Sequence, residues 1–149
     1  PPFTTAILKT WTEPGGEAAQ RFGGTARYTL EFDAPAVPAD DWRLDLGDVR
    51  ESARVTMNGT PAGTAWSVPF QLRVGPLLRP GRNRLEIEVT NLAANRIRDL
   101  DRRKAAWKVM REINFVNINY QTFDAAGWPL TPSGLLGPVT LTPLRAARP

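Results

Sequence analysis

Arg84-Leu85-Glu86-Ile87-Glu88-Val89-Thr90-Asn91 sets Leu85, Ile87 and Val89 on one side of the chain and Arg84, Glu86, Glu88 and Thr90 on the other. A period of two sustained over such a stretch marks a strand with one face buried and one face in water. Its approach, Leu78-Arg79-Pro80-Gly81, is a turn dictated by adjacent proline and glycine. Working outward, Ala53-Arg54-Val55-Thr56-Met57 repeats the alternation and runs into Asn58-Gly59, the strongest short hairpin signal. Ala26–Asp33 and Trp42–Leu46 alternate in the same way. A return through Ala62 to Trp66, the stretch Val68–Val74, and Val139–Leu144 after Gly137-Pro138 complete the set. Short alternating strands punctuated by 12 Gly and 14 Pro predict an all-β fold, an antiparallel sandwich or jelly roll.

One stretch breaks the pattern. From Ala93 to Ser133 alternation lapses, and Lys104–Ile113 places Ala106, Trp107, Met110 and Ile113 near one helical face, which predicts a short amphipathic helix there. A long excursion from a sandwich is where function tends to sit.

Composition narrows the chemistry. The 149 residues contain neither histidine nor cysteine. Imidazole bases and ligands, thiol nucleophiles, disulfides and Cys-based metal sites are therefore excluded within this sequence. No phosphate-cradling glycine loop occurs, and none of the serines sits in a nucleophile elbow. The net charge of +4 is spread along the chain and interleaved with 15 carboxylates, unlike the basic stripe of a nucleic-acid binder. An arginine-rich surface does suit an acidic polymer such as a uronic-acid chain. No apolar run is long enough to span a membrane. A single domain over residues 1–149 is expected, with its core between about residues 11 and 144, without internal repeats. Pro1-Pro2-Phe3 carries no leader pattern, and both ends read as cut from something longer.

Three stretches, in order, resemble the sugar-binding-type β-sandwich of family 2 glycoside hydrolases. They are Trp11-Thr12-Glu13 with Phe22–Thr29, then Leu44–Val49 through Val55–Gly63, then Pro69-Phe70 with Leu78–Asn91. The continuation Ala93–Arg96 and the closing Pro132–Val139 are similar to the domain appended to bacterial α-L-rhamnosidases and related pectin-degrading enzymes. The resemblance implies a galactose-binding-like jelly roll. It also implies a non-catalytic carbohydrate-binding module of a secreted or periplasmic bacterial enzyme, with polysaccharide or oligosaccharide and the parent catalytic domain as partners. No nucleic acid or membrane partner is expected. Modules of this kind often hold a structural Ca²⁺ through carboxylates. The close acidic pairs here are Asp40 with Asp41, and Asp99 with Asp101.

Sugar recognition uses flat apolar faces for the C–H side of a pyranose and planar polar groups for its hydroxyls. The aromatic candidates are Tyr120, Trp107, Trp66 and the loop residue Trp128. Trp11 and Trp42, in strand-like segments, are expected in the core. The polar candidates are Asn95, Arg96, Arg102, Lys108 and Asn119, with Asn117 and Gln121 beside them. Alternation through Asn117-Ile118-Asn119-Tyr120 predicts a strand with Asn117 and Asn119 on one face. Two other readings stay open. One is a structural domain that packs on a catalytic domain and binds nothing. The other is a small lyase or hydrolase using Lys108, Tyr120 and Arg102, or converging Asp99, Asp101, Glu112 and Asp124.

Overall fold

The computed structural model describes residues 4–13, 15–109 and 116–146. Among them the strands are β1 (Thr25–Asp33), β2 (Asp41–Asp45), β3 (Asp48–Arg50), β4 (Ser52–Met57) and β5 (Thr60–Ala65), followed by β6 (Gln71–Arg73), β7 (Arg82–Thr90), β8 (Gly134–Gly137) and β9 (Thr140–Leu144). The helices are α1 (Gly16–Gln20), α2 (Ala94–Arg102) and a 3-10 turn at Gly75–Leu77. One antiparallel sheet runs β1-β7-β4-β5, a second runs β6-β2-β9, and β3 pairs with β8. The fold is the expected all-β sandwich.

Alternation does the work that the sequence pattern implies. Val55 lies opposite Ile87 and Met57 opposite Leu85, all inward. They form one core with Leu44 of the facing sheet and with Leu46, Phe70, Val74 and Leu135. Each such side chain contributes about 1.5–3 kcal/mol by leaving water. The outward residues of the same strands pair with one another: Glu88 accepts from Arg27 at 2.7 Å and lies 3.8 Å from Arg54, and Arg82 reaches Glu31 at 2.6 Å. Three of the arginines thus form a cross-strand charge ladder.

The resemblance motifs build the fold. Asn58 occupies a left-handed conformation (φ 53°), which asparagine tolerates at a hairpin turn. Its amide donates to Leu77 O and to Asn83 Oδ1, both at 2.8 Å, while its own carbonyl oxygen accepts from Arg84 N–H. Asn83 is fully buried and clamps the Arg79–Gly81 turn through Arg79 N–H, Arg79 O and Gly81 O. Two amides far apart in the chain thereby fasten the β4–β5 hairpin to the entry of β7.

A second fastening lies at Gly134 (φ 114°). A Cβ there would come within 2.6 Å of the Tyr28 hydroxyl and 2.8 Å of the Trp11 ring. Tyr28 accepts from Leu135 N–H, and burial pushes its phenol pKa up.

Two expectations are corrected. Trp11 is buried as expected, but in a turn rather than a strand, edge-on to Phe22. The helix of the excursion is Ala94–Arg102, earlier than predicted. Residues 104–109 are not helical, and 110–113 lie outside the described residues. Helical periodicity around Trp107 is misleading because that indole N–H is held by the Asp101 carboxylate.

Strand register also sorts the loops into two poles. Thr90 pairs with Thr25 and Ser52, so the excursion and the Trp66–Phe70 loop leave from that pole. Arg82 pairs with Asp33, so the β1–β2 and β6–β7 connections gather at the opposite pole.

Candidate functional site

The excursion is closed at its base by amides. Asn95, 1% exposed on α2, embraces the Thr131 backbone: Thr131 N–H donates to its Oδ1 at 2.8 Å, and its Nδ2 donates to Thr131 O at 2.7 Å. Asn91 accepts from Gly24 N–H and donates to Phe22 O and Ser133 Oγ. Ser133 N–H donates to Thr10 Oγ1, whose hydroxyl in turn donates to Ser133 O. Buried polar groups require such partners, and these side chains take them from neighbouring backbone.

Inside the excursion one carboxylate gathers three donors. Asp101 Oδ1 accepts from Trp107 Nε1 at 2.7 Å and from the Lys108 ammonium at 3.0 Å, and Oδ2 accepts from Ala125 N–H at 2.8 Å. Burial pushes this carboxyl's pKa up, but the bonds from Ala125, Trp107 and Lys108 outweigh burial and hold it below its ordinary value. Lys108 also donates to Phe123 O and sits over the Trp107 and Phe123 rings. Phe123 meets Trp107 and Trp128 edge-on, and Arg98 donates to Trp128 O at 2.7 Å.

The predicted site residues therefore separate. Asn95, Trp107 and Lys108 are engaged within the excursion, and Trp128 is part of the same cluster, 40% exposed. Arg96 is exposed and 3.8 Å from Asp99, which Arg103 holds at 2.6 Å; Arg102 is exposed. Trp66 and Tyr120 are each 76% exposed. Residues 117–121 form a hairpin turn rather than the expected strand. Tyr120 N–H donates to Asn117 O, Tyr120 has φ 56°, and Asn117 Oδ1 accepts from Asn119 and Gln121 N–H. Asn119 is exposed on that turn.

The acidic pairs are also occupied. Asp41 is held by Arg73, Trp42 N–H and Gly75 N–H, and Asp40 accepts from Ala146 N–H. Among the described residues no group of three or more acidic side chains converges as a metal site. The carboxylate hub at Asp101, the Phe123 carbonyl that accepts from Lys108 and the Asn91–Ser133–Thr10 seam were not anticipated, because nothing periodic connects positions so far apart.

Comparisons with known proteins place this geometry. No family model matches the chain. Among solved structures, a rhamnosidase from Novosphingobium sp. PP1Y superposes with a TM-score of 0.72 and 33% identity, over 92% of this chain and 12% of that one. The fold is consistent with a sugar-binding-type β-sandwich of family 2 glycoside hydrolases. A putative β-glucuronidase of Formosa agariphila is 40% identical over 93 residues, 60% of this chain and 8% of that protein. A β-glucuronidase of Bifidobacterium dentium, solved with coumarin-3-O-glucuronide, matches 60% of this chain and 15% of its own at 23% identity and a TM-score of 0.54, a likeness of fold alone. The chain thus spans a small fraction of each relative. No helix among the described residues is long and apolar enough to cross a membrane.

Proposed function

We propose that the chain is a non-catalytic accessory domain of a larger glycoside-degrading enzyme, and that it binds carbohydrate through exposed aromatic faces at the excursion pole. The observation that carries this reading is the 33% identity over nearly the whole chain to one small part of a rhamnosidase. Trp66 and Tyr120 supply the flat faces, each 76% exposed. Arg96, Arg102 and Asn119 are exposed and are the hydrogen-bonding groups assigned to the same site. Arginine near the site suits an acidic, pectic polysaccharide of the plant cell wall. Such a target places the parent enzyme outside the cytoplasm, secreted or periplasmic, where weak single-site binding gains from tethering to the catalytic domain.

Affinity gel electrophoresis against pectins, rhamnogalacturonan, xylans, glucans and mannans tests this reading. Retardation by one class is expected, weakened in Trp66→Ala and Tyr120→Ala while the urea midpoint stays unchanged. Retardation that persists in both variants removes the site, and none with any polymer removes the binding role.

A second reading, a domain that packs on its catalytic neighbour without a ligand, is favoured by Leu30 on the edge strand β1. It belongs to the inward set of that strand yet is 54% exposed. Apolar surface left uncovered in this way predicts self-association of the isolated chain, without retardation by any polymer.

A further inference from the structure

Away from the excursion, the opposite pole carries an open depression of about 490 Å³, within the size range of small-ligand sites. The β1–β2 connection forms one wall with Pro35, Ala36 and Asp40, the β6–β7 connection forms the other with Leu78 and Arg79, and Trp42 lines it from β2. We infer that this depression is a second carbohydrate subsite, taking one neutral pyranose ring. The inference shares its ligand class with the reading above but uses none of the same residues.

Three observations support it. First, the walls are fixed to each other before any ligand arrives. Ala34 N–H donates to Gly81 O at 2.8 Å, the Asp41 carboxylate ties Gly75 N–H to Trp42 N–H, and the buried Asn83 clamps Arg79 to Gly81. Preorganised walls lower the ordering cost that otherwise consumes weak binding energy.

Second, the lining has the composition a sugar ring requires. Trp42, Ala36, Pro35 and Leu78 present apolar surface to C–H groups, and the Asp40 carboxylate and Arg79 guanidinium offer an acceptor and a donor for hydroxyls. Asp40 Oδ2 accepts from Ala146 N–H, and among the described residues Oδ1 takes no hydrogen bond. Arg79 is exposed and enters no ion pair among the described residues.

Third, charge bears on the class. Two adjacent carboxylates, Asp40 and Asp41, line the depression, and the second is held well ionised, chiefly by Arg73. Arg73 neutralises Asp41, and Arg79 on the other wall offsets Asp40, so the lining carries no net charge that would favour a uronate over a neutral hexoside or 6-deoxyhexoside.

Titration of the ¹⁵N-labelled chain with methyl glycosides of neutral hexoses and 6-deoxyhexoses, and separately with galacturonate, tests the inference by NMR. Saturable shifts of the Trp42 indole and of the Ala36 and Gly75 amides are expected with a neutral glycoside, with Kd on the order of 1 mM. Arg79→Ala and Asp40→Ala, both at exposed positions, should each weaken binding by about tenfold, one lost charge-assisted hydrogen bond. Trp66→Ala and Tyr120→Ala should leave it unchanged. No saturable shift, shifts equal in the wild type and in both pole variants, or shifts with galacturonate alone would each overturn the subsite. Because Trp66 and Tyr120 report separately, failure here and failure of the excursion-pole site are read from different signals.

Discussion

Removing the Asp101 carboxylate should loosen the excursion more than any other single change within it. In Asp101→Ala the Trp107 indole, the Ala125 amide and the Lys108 ammonium each lose their acceptor. Ala125 is fully buried and Lys108 only partly, its side chain 25% exposed, against 5% for Asp101. Breaking a buried pair costs about 3–5 kcal/mol. Lys108 keeps Phe123 O and some water, so the low end, about 3 kcal/mol, applies here. That corresponds to more than a hundredfold in the opening equilibrium, since 1.4 kcal/mol is about tenfold.

The readout is native-state hydrogen exchange at Trp128 N–H, whose bond to Ala125 O is not itself altered by the substitution. Acceleration of about a hundredfold is expected, with Val55 and Ile87 amides in the core changing less. Acceleration below about tenfold would mean that the aromatic cluster, not the carboxylate, organises the excursion. Lys108→Met serves as the control. It removes the charge but leaves the indole and amide bonds, and should produce a smaller effect than Asp101→Ala.

The same carboxylate sets a pH dependence. Its pKa is lower when folded than the ordinary value of about 3.9, so its contribution is complete above about pH 5. The contribution is lost as pH falls through the folded value, because the unfolded chain then binds the proton more readily. Trp128 amide protection, corrected for intrinsic exchange, should be flat between pH 5 and 7 and fall below about pH 4; the Asp101→Ala variant should lack that step. Gly134→Ala would force a methyl against the Tyr28 hydroxyl and the Trp11 ring at a positive φ. A loss of about 3 kcal/mol or more in urea denaturation is expected, and a loss below about 1 kcal/mol would show that the β3–β8 corner yields easily.

The sandwich was legible because its information is local. Val55 and Ile87 declare their inward face through immediate neighbours, and Asn58-Gly59 and Pro80-Gly81 declare their turns. Even the amide clamp could be read as two polar turn residues, although their meeting could not. The excursion obeys no period. Its order comes from contacts such as Asp101 with Ala125 and Asn95 with Thr131, 24 and 36 positions apart. Trp107 illustrates the failure: its spacing matches a helical face, yet an indole N–H bonded to a carboxylate explains its placement better. Exposure was the other hidden quantity, since the tryptophans look alike in sequence while Trp11 is buried and Trp66 faces water.

The base of the excursion has an architectural consequence. Asn91, Asn95, Thr131 and Ser133 join the outgoing and returning chain beside the sandwich, so the span between them is a closed loop on a finished base. Closure entropy grows only slowly with loop length. Residues between 103 and 130 can therefore be exchanged, lengthened or trimmed while the strands keep their register, as a tool head is changed on an unchanged handle. Trp107, Lys108 and Ala125 belong to the tool, while Asp101, which receives them, and the asparagine seam belong to the handle.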